Sequence, residues 1–143
     1  MLNANYITGL IDGEGSFTAY ICNLKYLSRE RKRRVRIEPK FYIKLIEEDK
    51  EILYGLKKFF GCGHVYFQKD NRPNHKNCYR YEVNKREDLM KVIVPFFKKC
   101  PVKLKSKARD FKIFCQILDE IKNEKHLTPE GLNKLYKLKQ GMH

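Results

Sequence analysis

Polar and apolar residues change their repeat several times along the chain, and each change marks an element. Tyr6, Ile7, Leu10 and Ile11 recur at helical spacing, with Asn5 placed to cap a short helix and Gly13 and Gly15 placed to end it. From Ser16 to Asn23 the period falls to two. Phe17, Ala19 and Ile21 share one face, and Thr18, Tyr20 and Cys22 share the other, as in a half-buried strand. A basic run from Lys25 to Arg34 follows. The period of two returns from Val35 to Leu45, where Val35, Ile37, Phe41 and Ile43 alternate with Arg36, Glu38, Lys40, Tyr42 and Lys44. Pro39 falls on the inward row and points to a bulge.

Glu47, Glu48 and Asp49 open a second helix, where acids suit the positive end of the dipole. Ile52, Leu53, Leu56 and Phe60 form its apolar stripe, and Gly61 stops it. His64 to Gln68 and Cys78 to Asn84 read as a strand pair joined by the polar loop Lys69 to Asn77. Asn84 and Glu87 have the spacing of a capping box, heading a third helix that carries Leu89, Val92, Ile93 and Phe96. Two helices close the chain, Ser106 to Glu124 and Pro129 to Lys139, the latter capped by Thr128 with Pro129 at its first position. The expected class is α+β, in the order αββαββα plus C-terminal helices, as a single domain over residues 1–143 without linker or low-complexity stretch.

A chain of 143 residues can bury roughly two-thirds of its unfolded surface and needs no disulfide or metal to fold. Its charge is the unusual quantity. Thirty-one Lys and Arg stand against seventeen Asp and Glu, a formal net charge of +14. Such an excess favours a polyanionic partner, above all nucleic acid, through counterion release. A basic surface kept for solubility, or the base composition of the genome, would give the same count. The five cysteines are odd in number and irregular in spacing, with no signal peptide before them, which fits a reducing intracellular compartment. No transmembrane span or transit sequence is evident, so no membrane partner is expected. Cys62, His64, His75 and Cys78 could in principle hold zinc, but their C-x-H spacing is unlike that of structural sites.

Candidate chemistry concentrates in Ile7 to Gly15, ITGLIDGEG. Gly9 and Gly13 lie four apart on one helix face, so a second backbone can approach there, and the helix is suited to packing against a copy of itself. Ile7, Leu10 and Ile11 are left to anchor it in its own domain. Asp12 is nearer the helix interior and can bond locally. Glu14 ends the helix, where a carboxylate opposes the dipole at a cost of about a few tenths of a kcal/mol. A divalent cation reverses that cost. If two such helices cross on a two-fold axis, two Glu14 carboxylates meet and repel unless metal lies between them.

The stretch resembles the nine-residue motif of the LAGLIDADG homing endonucleases. Gly9, Leu10, Ile11, Asp12 and Gly15 are identical to it; Ile7, Thr8, Gly13 and Glu14 replace Leu, Ala, Ala and Asp. Phe59-Phe60-Gly61-Cys62-Gly63-His64-Val65 and Leu127-Thr128-Pro129-Glu130-Gly131-Leu132 are similar to later family segments. The resemblance implies a homing-endonuclease fold whose curved antiparallel sheet binds double-stranded DNA. A single motif copy implies a homodimer, with Gly9, Asp12 and Gly13 at the interface and a near-palindromic site. It implies Glu14 as catalytic, with Glu14 and Gly13 holding Mg²⁺, or Mn²⁺, or Ca²⁺ in a non-cutting complex. It implies a basic group before the long C-terminal helix, which falls best on Lys105, with Lys103 and Lys107 close by. The family's polar water-positioning residue has no clear counterpart; Lys44 or Glu47 could serve.

On the outward strand faces the base-reading candidates are Thr18, Tyr20, Cys22, Arg36, Glu38, Lys40, Tyr42, Lys44, Tyr66, Gln68 and Arg80, on a ribbon that fits the major groove. Arg29, Arg31, Lys32, Arg33 and Arg34 are placed for phosphates. The function implied is a metal-dependent endonuclease that makes a staggered double-strand cut in intron homing, in a prokaryotic cytoplasm or an organelle. An RNA-binding intron maturase and a catalytically inactive DNA-binding protein of the same fold are the alternatives.

Overall fold

The computed structural model describes residues 2–21, 37–124 and 128–142. Cys22, Arg29, Arg31, Lys32, Arg33, Arg34 and Arg36 lie outside the described residues. The elements are α1 (Ala4–Glu14), β1 (Gly15–Ile21), β2 (Ile37–Ile46), α2 (Lys50–Phe60), β3 (His64–Gln68), β4 (Cys78–Val83), α3 (Arg86–Asp88), α4 (Val94–Lys99), α5 (Lys105–Lys122) and α6 (Pro129–Gln140). The four strands make one sheet in the order β1-β2-β4-β3. The chain falls into two compact units, Met1–Ser16 with Lys40–Leu104, and Phe17–Pro39 with Lys105–His143.

In the first unit, α1 is capped by Asn3, whose side chain accepts the Tyr6 N–H at 2.9 Å. Asn5 is not the cap, because the helix begins at Ala4 and places it in the first turn. Ile7 and Ile11 are fully buried. After a 3₁₀ turn at Glu47–Asp49, α2 buries Leu53, Leu56 and Phe60 and stops at Gly61, whose φ of 71° is left-handed. The core centres on Phe41, with the rings of Phe97, Phe60 and Tyr81 at 5.5, 6.2 and 6.4 Å. Burial holds its phase along β2 at Ile37, Pro39, Phe41 and Ile43, so the expected bulge at Pro39 does not form.

The third helix departs from the expected one. Asn84 and Glu87 do not cap it: its N-cap is Lys85 with no side-chain bond, and Asn84 Nδ2 donates to Glu82 at 3.0 Å instead. Between α3 and α4 lies a π turn, Leu89–Ile93, in which the Val94 N–H reaches back to the Leu89 carbonyl. Pro95 lies at the start of α4 and supplies no N–H, so the helix widens before it. The buried row becomes Leu89, Ile93 and Phe97, while Val92 and Phe96 are only half-buried.

Within this unit β4 pairs antiparallel with β2 and β3, with Tyr42 opposite Glu82, Lys44 opposite Arg80, and Tyr66 opposite Arg80. Tyr42, Lys44, Tyr66, Gln68, Arg80 and Glu82 therefore share one face. In the second unit, Ala19, Ile21 and Ile37 pack with Ile117, Ile121, Leu132 and Leu135, and Phe17 lies 5.0 Å from Phe111 and 5.5 Å from Phe114. The Thr128 hydroxyl accepts the Gly131 N–H and caps α6.

Two glycines after α2 separate backbone strain from packing. Both are left-handed, but an added Cβ at Gly61 meets nothing within 4 Å, whereas at Gly63 it would stand 2.8 Å from the Glu82 carbonyl oxygen. Gly61→Ala should cost about 1 kcal/mol in denaturant unfolding, from the backbone alone. Gly63→Ala should cost at least about 3 kcal/mol, since strain and clash add. Equal losses would show that the contact at Gly63 carries no weight.

Candidate active site and nucleic-acid face

The motif residues give α1 three separate roles. Ile7 and Ile11 face the core. Gly9 and Gly13 are exposed, and a Cβ added at either would meet nothing within 4 Å. Their lack of side chains therefore has no cause within the described residues of this chain. Gly15 is the contrast: its Cβ would stand 2.7 Å from the Ile11 side chain. Asp12 takes the third direction. Its carboxylate accepts the backbone N–H of Lys103 at 2.8 Å and of Leu104 at 3.0 Å, pinning the segment before α5 to the end of α1. Thr8 helps to hold the same segment, its hydroxyl donating to the Ala4 carbonyl at 2.8 Å and more weakly to Cys100 at 3.5 Å.

Glu14 is the last residue of α1 and is exposed, and no basic residue occupies the final turn to offset it. It lines a cleft of about 560 Å³ with Tyr6, Leu10, Lys44, Ile46 and Asp49. Of the two water-positioning candidates, Lys44 lines this cleft and Glu47 does not. Asp49, one of the three acids ahead of α2, also lies on the cleft. Among the described residues, no group of three or more His, Cys, Asp or Glu could hold a metal ion within one chain. A carboxylate at the negative end of a helix, without a cationic neighbour in its turn, nonetheless has the hard oxygen chemistry that suits Mg²⁺ or Ca²⁺. Lys105 is exposed at the first position of α5, directly after the segment that Asp12 holds; Lys103 lies within that segment.

On the sheet, the alternation places the remaining candidates as expected. Tyr20 and Tyr66 are 57% and 39% exposed, and Glu38 and Lys44 are exposed, while Lys40, Tyr42 and Gln68 are half-buried. Thr18 is already engaged: Lys139 of α6 donates to its hydroxyl at 3.2 Å. Arg80 is held by Glu82 at 2.8 Å and stacks over the Tyr42 ring at 3.6 Å. Sequence reasoning missed Glu82, Lys139 and the loop between β3 and β4. In that loop the Asp70 backbone N–H donates to Asn77, and Arg72 pairs with Asp70 at 2.7 Å. The hydrogen bonds from Arg72 hold the Asp70 carboxyl well below the usual carboxylate range. Lys69, Arg72 and Lys76 are thereby displayed on an ordered turn.

Comparison with known proteins adds four findings. A family model described as LAGLIDADG endonuclease matches residues 7–118. The probable intron-encoded endonuclease 3 of Neurospora crassa is 33% identical over 136 residues, covering 94% of this chain but 24% of that protein. The chain thus spans about a quarter of that relative's length. Among solved structures, the homing endonuclease I-TnaI superposes with a TM-score of 0.81 at 34% identity, covering 99% of this chain and 88% of the other. I-SmaMI bound to cleaved DNA superposes at 0.84 with 30% identity, over 99% and 44% of the two chains.

The Asp12 bonds can be weighed directly. Asp12→Ala removes a charged acceptor from two backbone donors and should cost about 2–4 kcal/mol in chemical denaturation, with Asp12→Asn losing roughly half as much. An unchanged midpoint in Asp12→Ala would show that the segment is held without it.

Proposed function

The chain belongs to the LAGLIDADG endonuclease family, and we propose that it is a homing endonuclease that cuts double-stranded DNA as a homodimer through Glu14. One observation carries this reading: the Gly9 and Gly13 face of α1 is bare, and it ends in an exposed acid with no cation in its turn. A second copy of the same helix fits that face, since backbones approach closely where side chains are absent. Two-fold pairing then brings two Glu14 carboxylates together. The named relatives are endonucleases, and I-SmaMI has been solved with DNA, which supports the class of substrate.

The residues divide the work by their chemistry. Glu14, with Gly13 beside it, would hold the divalent cation. Mg²⁺ or Mn²⁺ there would polarise the scissile phosphate and lower the pKa of a bound water, while Ca²⁺ would support binding without cutting. Lys105 would be the basic group that steadies charge building on the phosphate. Lys44, on the Glu14 cleft, is the side chain of choice for orienting the attacking water. The outward sheet residues away from the cleft, including Tyr20, Glu38, Lys40, Tyr42, Tyr66, Gln68 and Arg80, read base edges in the major groove. Two-fold symmetry of the protein implies a near-palindromic target cut once on each strand, and the double cut we propose is a staggered one. The formal charge of +14 supplies the salt-dependent part of the affinity. No described helix is long and apolar enough to cross a membrane.

Cleavage of duplex carrying the uninterrupted host-gene junction, with Mg²⁺, tests the chemistry. Wild type should cut it, and Glu14→Gln should cut at least about 100-fold more slowly while still binding. Equal rates would remove Glu14 from the mechanism. No cutting by either, with intron RNA bound tightly, would support a maturase instead. Sedimentation tests the pairing: wild type should be a dimer at micromolar concentration, and Gly13→Leu a folded monomer. A wild-type monomer would overturn the homodimer.

A further inference from the structure

One arginine on the sheet face of the first unit is clamped on several sides. Arg80 lies on β4 between Lys44 of β2 and Tyr66 of β3. Its Nη2 is 2.8 Å from Glu82 Oε1, and its guanidinium carbon sits 3.6 Å above the centre of the Tyr42 ring. Glu82 is itself only 7% exposed and is fixed from its other oxygen, which accepts from Asn84 Nδ2 at 3.0 Å. The Tyr66 hydroxyl stands against both Glu82 and Arg80. Arg80 Nε is buried with no hydrogen-bond partner among the described residues, yet 19% of the side chain remains exposed.

This arrangement is a poor way to attract phosphate. The charge is largely neutralised by Glu82, and the long side chain cannot sweep along a backbone. Lys69 and Lys76, exposed on the loop between β3 and β4, suit that task better. The arrangement is a good way to hold a plane. A guanidinium carries five N–H donors; Nε is buried, and Glu82 and Tyr66 engage one each, so two remain on the Nη atoms. A fixed planar donor edge matches the paired acceptors N7 and O6 that only guanine presents in the major groove. We propose that Arg80 is a specificity-determining residue that reads one guanine in each half-site, with Glu82 and Tyr42 as the positioning residues that aim it. This rests on the reading of the sheet as a DNA-binding face.

Selection of binding sites from a pool of randomised duplexes tests it, with the full chain and Ca²⁺ in place of Mg²⁺. Wild type should enrich a guanine at one symmetric pair of positions. Arg80→Lys should lose that preference by about 10-fold or more, and Arg80→Gln should shift it toward adenine, with other positions unchanged. Tyr42→Leu should weaken it and Tyr42→Phe, which keeps the ring, should restore it. Glu82→Gln should lose discrimination while steepening the salt dependence of binding by about one counterion, because the freed cation can then meet a phosphate. That gain is a change a merely structural Glu82 would not produce. If both Arg80 variants select the same sequences as wild type, the proposal is wrong although the sheet still reads DNA. If wild type enriches no sequence, the DNA-reading face is itself wrong and the proposal falls with it.

Discussion

The angular phase of α1 is the constraint on which the rest depends. At about 100° per residue, Ile7 and Ile11 lie within about 40° of each other, and Gly9 lies about 200° from Ile7. The face that anchors the helix and the face that is left bare are therefore close to opposite. Asp12 points in a further direction and fastens the chain ahead of α5. A slip of one residue would bring polar Thr8 and Asp12 onto the buried row in place of Ile7 and Ile11. It would also pull Glu14 out of its cleft. The buried row, the bare face and the hold on the chain ahead of α5 thus share eleven residues, and none of the three can be adjusted alone.

A second phase, that of the strands, organises the sheet. Antiparallel register sets Tyr42 and His64 across from Glu82, and Lys44 and Tyr66 across from Arg80. The same register turns Phe41 and Tyr81 inward, where they meet Phe60 and Phe97. The aromatic core under the sheet fixes which side chains stand on its outer face. Gly63 belongs to this constraint, since β4 passes too close to admit a side chain there.

Much of this was legible in local sequence because local sequence causes it. The alternation of Phe17, Ala19 and Ile21 with Thr18 and Tyr20, the stripe of α2 and the left-handed Gly61 each follow from a period or a single residue. The bare glycine face was legible for the same reason. The misses have physical causes of two kinds. Asn3 and Asn5 are equally good caps on paper, and only the start of the helix decides between them. Asn84 had the right spacing for a cap, but Glu82 offered a stronger partner. The π turn answers to Pro95, a residue beyond it in the chain, and this shifted the buried row to Phe97. Glu82 could not be found from its neighbours, since its role arises from Arg80 and the strands that flank it.

The pairing of Arg80 with a buried Glu82 also bears on how such a chain can change over generations. Replacing Arg80 alone leaves a carboxylate buried beside Asn84 without its cation, a state that costs stability before any new preference is gained. Replacing Glu82 alone leaves Arg80 without the carboxylate that holds it. Residues 80 and 82 therefore form one coupled unit, and a change of chemistry at either meets a barrier of two simultaneous changes. Exposed positions such as Tyr20 and Glu38 carry no such barrier. Side chains should therefore exchange more freely along the exposed rows of the sheet, and the Arg80–Glu82 pair should persist longest.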